Sequence, residues 1–81
     1  MYKGSLRKCM QRFVNGDKNF YTDGLWKVAK GGYDLWFEVY YNDIIIIQCI
    51  DGELEVVDGN HFDKYKSLQI IQQEYAGLTI K

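Results

Sequence analysis

Proline is absent from this chain of 81 residues, histidine occurs once, and cysteine, alanine and arginine occur twice each. The single histidine, His61, rules out a triad or a multi-histidine metal site within one copy, because either would have to be assembled across subunits. Cys9 and Cys49 are too few for a disulfide framework. Together with His61 they offer widely separated zinc ligands without the paired Cys-x-x-Cys spacing of structural sites. Neither Asp51, Glu53 and Glu55 nor Asp58, Asn60 and Asp63 has the spacing of a calcium loop with its central Gly and terminal Glu. No phosphate-loop pattern surrounds Gly31-Gly32. The longest aliphatic run, Ile44 to Ile47, is far short of the ~20 residues of a membrane-spanning helix. Lys3, Arg7 and Lys8 are not followed by an apolar segment of signal-peptide length, so a cytoplasmic location is expected.

Hydrophobic residues make up 47% of the chain and charged residues 26%, the balance of a globular protein rather than a disordered one. At this size one domain is expected over residues 1–81, burying only ~60–65% of the surface its unfolded form exposes, so self-association would add stability. Ile and Lys each number 8 and Tyr 7. That skew towards AT-rich codons resembles the style of small accessory proteins of phages and mobile elements from AT-rich bacteria.

Leu6, Cys9, Met10, Phe13 and Val14 follow the i, i+3, i+4, i+7 spacing of an amphipathic helix, with Ser5 as N-cap and Gly16 as stop. On that apolar face Cys9 is expected to stay protonated and inert. Residues 15–24 read as a polar loop broken by Phe20-Tyr21, with room for a short strand. From Leu25 to Val57 the pattern becomes that of strands separated by Gly31-Gly32, Asn42-Asp43 and Asp51-Gly52, pairs suited to the positive φ of tight hairpin turns. Asn60 or Asp63 is a candidate cap for a second helix running to about Ala76, with Tyr65, Leu68, Ile71 and Tyr75 on one side and Gly77 as stop. The expected fold class is α+β: a four-stranded antiparallel meander flanked by an N-terminal and a C-terminal helix (α-β-β-β-β-α), with a short strand at Leu78 to Lys81.

If every turn has two residues, side chains divide between two faces. Trp26, Val28, Leu35, Phe37, Val39, Tyr41, Ile44, Ile46, Ile50 and Val57 share one, which the helices are expected to cover. Trp36, Glu38, Tyr40, Ile45, Ile47 and Leu54, with Leu25, Ala29, Cys49 and Val56, share the other, a mixture suited to an interface. One conflict is visible: this register puts Glu53 and Glu55 on the face meant for the core. Twist, a bulge or a different turn length would each remove it.

Charge is segregated: residues 1–30 carry a net +5, residues 31–63 a net −8 and residues 64–81 a net +2. The acidic patch of Asp51, Glu53, Glu55 and Asp58 reads either as a surface that occupies a basic groove or as a charged edge strand that discourages aggregation. General nucleic-acid binding is disfavoured by the slightly acidic total. Two or three of Arg7, Lys8, Arg12 and Lys27 beside an aromatic would suffice for a small anion such as a nucleotide. These readings converge on a non-enzymatic binding protein with no cofactor. It would associate with itself as a homo-oligomer or occlude a larger protein, as an inhibitor from a phage or mobile element would. Capture of a nucleotide by a small oligomer and a structural role in a larger assembly are the alternatives.

Overall fold

The computed structural model describes residues 2–33, 35–59 and 63–81. Asn60 and His61, the candidate cap and the lone histidine, lie outside the described residues. Helix α1 (Leu6–Asn15) is followed by strands β1 (Phe20–Asp23), β2 (Trp26–Lys30), β3 (Phe37–Tyr41), β4 (Ile44–Ile50) and β5 (Glu53–Val56), helix α2 (Lys64–Glu74) and strand β6 (Thr79–Ile80). The strands form one sheet in sequence order, antiparallel except for the parallel β5–β6 pair. The fold is therefore α+β, with six strands rather than four. Residues 20–23 form a full edge strand because their register continues the ladder on β2, Tyr21 opposite Val28 and Asp23 opposite Trp26. No helix among the described residues is long and apolar enough to cross a membrane.

Both helices start where the sequence provides a cap. The Ser5 hydroxyl accepts from the Lys8 backbone N–H at 3.3 Å, and the Asp63 carboxylate accepts from that of Lys66 at 3.0 Å, each satisfying a donor that the first helical turn leaves without a partner. Leu6, Cys9 and Met10 of α1 and Leu68 and Ile71 of α2 enter one core with Trp26, Val28, Phe37 and Val39. Phe37 is fully buried, its ring 5.3 Å from Phe13 of α1 and 5.7 Å from Tyr75 beyond α2. Val14 and Tyr65, placed on the apolar stripes by their spacing, are exposed.

Two of the three tight turns form as expected. Asn42 and Asp43 have φ of 51° and 65°, and Asp51 and Gly52 of 54° and 81°, the paired positive values of a twisted two-residue hairpin loop. The third does not. Residues 31–36 make a longer connection closed by the Gly31 N–H donating to the Trp36 carbonyl at 2.7 Å, so Trp36 ends a loop instead of occupying a strand. A Cβ on Gly31 would lie 2.5 Å from the Trp36 ring, so the glycine is there to let the indole approach.

The largest departure from the sequence register is in β4. Val39 faces Ile47 but Tyr40 faces Ile45, so Ile46 is an extra, bulged residue. One added residue reverses the face of everything after it. Ile47, Cys49 and Leu54 therefore point under the helices, at 1%, 0% and 0% exposure, with Val56 packed against the same core. Ile50, Glu53 and Glu55 move to the other side. This corrects the assignment of Ile47 and Leu54 to the interface face and removes the conflict posed by the two glutamates.

The segment before α1 is fastened to the β1–β2 turn. Asp23, 7% exposed, accepts from the Tyr2 hydroxyl and from the Ser5 N–H, both at 2.6 Å, and pairs with Arg12 at 3.3 Å. The Tyr2 bond, helped by Ser5, Arg12 and Lys8, holds the Asp23 carboxyl below its ordinary range against the opposing effect of burial, and the same bond raises the Tyr2 phenol. A carboxyl lowered by folding stabilises the protein above the unfolded Asp value of ~3.9, and that contribution is lost as pH falls through the lower folded value. Thermal melts across this window should therefore show an acid-induced loss in the wild type that is smaller in Asp23→Asn, which should also melt lower at neutral pH. Parallel pH profiles would remove the network from the account.

Candidate functional site

With both helices on one side, the other side of the sheet has no covering element among the described residues. The registers fix its composition. One row runs Thr22, Lys27, Tyr40, Ile45 across β1 to β4. The next runs Phe20, Ala29, Glu38, Gln48, Glu55 across β1 to β5, and Ile50 and Glu53 start a third. Phe20 and Ile50 are 55% and 42% exposed, and Tyr40 and Ile45 are half-buried by their neighbours within the sheet.

The polar groups on this face are organised by short contacts. The Lys27 ammonium lies 5.4 Å from the Phe20 ring centre and 5.1 Å from that of Tyr40, close enough for attraction to both aromatic faces. The Tyr40 hydroxyl donates to Glu38 at 3.1 Å, while the Gln48 amide donates to Glu55 at 3.3 Å. Burial, then Glu38, raises the Tyr40 phenol, so it stays a neutral hydrogen-bonding group at physiological pH. Lys81 approaches Glu55 at 3.7 Å, an exposed pair of small energetic value. The result is an apolar and aromatic strip with one cation at the β2 side and carboxylates towards β5.

Of the interface residues read from the sequence, Glu38, Tyr40 and Ile45 sit together on this face. Trp36 sits at its end in the β2–β3 connection, stacked on Tyr33 with ring centres 5.5 Å apart, and Ile47 and Leu54 are in the core. Glu53 and Glu55 of the acidic patch are on the open face, Asp51 is in the β4–β5 turn and Asp58 follows β5. Phe20, Gln48 and Ile50 were missed. The alternation of Phe20 to Asp23 was the available signal for the first, and the other two depend on the bulge.

The four candidate anion-binding cations do not converge. Arg7 pairs with Glu74 at 2.6 Å and donates to Gln73, Arg12 binds Asp23 and the Thr22 carbonyl, and Lys8 is exposed on the same helix. Lys27 is across the sheet from all three. An open cleft of about 520 Å³, with Phe13, Lys30, Tyr33, Trp36 and Tyr75 among its lining residues, lies at the sheet end and includes one cation. Cys9 donates to the Tyr21 carbonyl at 3.2 Å, and burial pushes its thiol up to about 11. Cys49 is raised by burial as well, so neither is a ready nucleophile. Among the described residues no cluster of His, Cys, Asp or Glu could hold a metal ion. No protein-family profile, curated protein or solved structure matches this chain.

Proposed function

We propose that this chain is a small, non-enzymatic binding protein that engages another protein surface through the open face of its sheet. The supporting observation is the uncovered set of Phe20, Tyr40, Ile45 and Ile50 opposite a side shielded by two helices. Exposed apolar side chains gathered on one open sheet face mark a candidate interaction surface, and tyrosine beside aliphatic residues and a rim of carboxylates is a composition suited to an interface. The carboxylates at β5 would steer a partner bearing positive charge and bias its orientation.

Paired substitution of Tyr40→Thr and Ile45→Thr tests this reading. Threonine keeps the β-branched backbone preference of a strand while removing most of the apolar area. The double variant should retain the wild-type circular dichroism spectrum and lose the protein contacts, with itself or with a partner, that the wild type makes in the source cell. Equal retention of those contacts by the folded variant would move the function elsewhere on the molecule.

A further inference from the structure

We infer that the occupant of the open face is a second copy of this chain, packed sheet to sheet about a two-fold axis that runs along the strands between β3 and β4. The inference rests on the reading of that face as a binding surface and adds the identity of the partner. A closed two-fold contact requires one patch to be complementary to itself. Such an axis exchanges the two halves of each row while keeping the rows in place, so β3 lies over the partner copy's β4 and β2 over its β5.

Applied to the observed registers, this operation pairs compatible side chains where β3 lies over β4 in the first two rows and sets the small Ala29 opposite Glu55. In one row Tyr40 meets Ile45, apolar on apolar. In the next, Glu38 meets Gln48, a carboxylate opposite an amide that can donate to it. Lys27, the cation of β2, comes diagonally beside Glu55 of β5, and both such pairs form at once because of the symmetry. An axis across the strands would instead bring β2 against β2 and β5 against β5, setting like charge against like. Sheets that pack face to face keep their strands within about 30° of one another, as the strand-parallel axis requires. The arrangement also shields Tyr40 and Ile45, which the small core of one copy leaves uncovered.

The test is sedimentation equilibrium of the full chain with two charge reversals, Lys27→Glu and Glu55→Lys, alone and mixed. The wild type should be a dimer that weakens as salt rises. Each reversal alone places like charges together twice per dimer and should raise the dissociation constant about tenfold or more. An equimolar mixture should recover the dimer, because positions 27 and 55 then carry opposite charges across both contacts. Melting curves of the two variants verify that each is folded. If Lys27→Glu unfolds, Lys27→Gln takes its place, with weakening but no like-charge repulsion expected.

A monomeric wild type at millimolar concentration, or a mixture no tighter than its components, overturns the dimer. The wider reading of the face then stands or falls on the Tyr40→Thr/Ile45→Thr variant and its effect on contacts with other proteins. A wild-type dimer that persists unchanged in that double variant overturns both, because association would use a different surface.

Discussion

Leu54→Ala is expected to destabilise the protein by ~2–5 kcal/mol, the usual cost of truncating a buried leucine and leaving a cavity. A domain of this length has ~4–12 kcal/mol of stability in total, so the loss is a large share of it. Leu54 is fully buried beside Cys49, and Ile47, one register step away, is in the same position. Ile47→Ala should therefore fall in the same range. Ile45→Ala, two residues earlier in the same strand, should cost about 1 kcal/mol, since its half-buried side chain faces outward. Urea unfolding of the three variants reads the direction of β4 and β5 directly. An unbulged strand would abolish the difference, with Ile45, Ile47 and Leu54 all facing outward and similar in cost.

Gly4→Ala should also reduce stability severely, by a different route. The N-terminal segment and the β1–β2 turn meet backbone to backbone, and the Leu25 N–H donates to the Lys3 carbonyl at 2.9 Å. Gly4 has φ of 90°, and a Cβ there would fall 1.7 Å from the Asp23 carbonyl oxygen. Gly24, with φ of 62°, would place a Cβ 2.4 Å from the Gly4 nitrogen. Neither obstacle is a flexible side-chain tip that could swing away. Either substitution must separate the two segments and pull Ser5, the cap of α1, from Asp23. Gly4→Ala and Gly24→Ala should each lower the melting temperature by more than Gly59→Ala, whose Cβ would meet nothing among the described residues within 4 Å and whose φ is not positive. Equal effects at all three positions would show that the close approach does not matter.

These sites differ in how far the sequence revealed them. Helix α1 could be read in advance because Leu6, Cys9, Met10 and Phe13 repeat at the helical period and Ser5 is a strong cap. The hairpins at Asn42-Asp43 and Asp51-Gly52 were legible because both positions of each must take positive φ, which few residues tolerate. Trp26, Val28, Phe37 and Val39 were placed correctly because the longer β2–β3 connection shifts their pairing by an even number of residues, which leaves each side chain on the same face. Periodicity could not locate the bulge within Ile44-Ile45-Ile46-Ile47, where four identical side chains make every register look alike. The only sign was indirect: a regular ladder would have buried Glu53 and Glu55. The loop at 31–36 escaped notice because Gly31-Gly32 is equally suited to a tight turn, and what prevents one is the Trp36 indole lying against Gly31. The sequence offered Arg7, Lys8, Arg12 and Lys27 as cations of which two or three could meet beside an aromatic, and it could not show which of them already have partners. Arg7 and Arg12 are instead engaged with Glu74 and Asp23, and Lys27 belongs to the opposite side of the sheet.

The position of the β5 carboxylates on the open face is also what the proposed association requires. On the covered side they would be buried without compensating partners, at a cost of several kcal/mol each. On the open side they remain hydrated until a partner arrives, and Glu55 keeps Gln48 and Lys81 as neighbours. Tyr40 and Glu38 are preorganised by their mutual hydrogen bond, which lowers the entropy lost when a surface closes over them.

Hydroxyl-radical footprinting of dilute and concentrated protein measures the decisive quantity, the solvent access of each side chain before and after association. Tyr40, Ile45 and Ile50 should be labelled when dilute and protected when concentrated, with Ile47 and Leu54 protected throughout. Labelling of Ile47 and Leu54 in the dilute folded protein, or unchanged labelling of Tyr40 and Ile45 when the protein associates, would contradict the account.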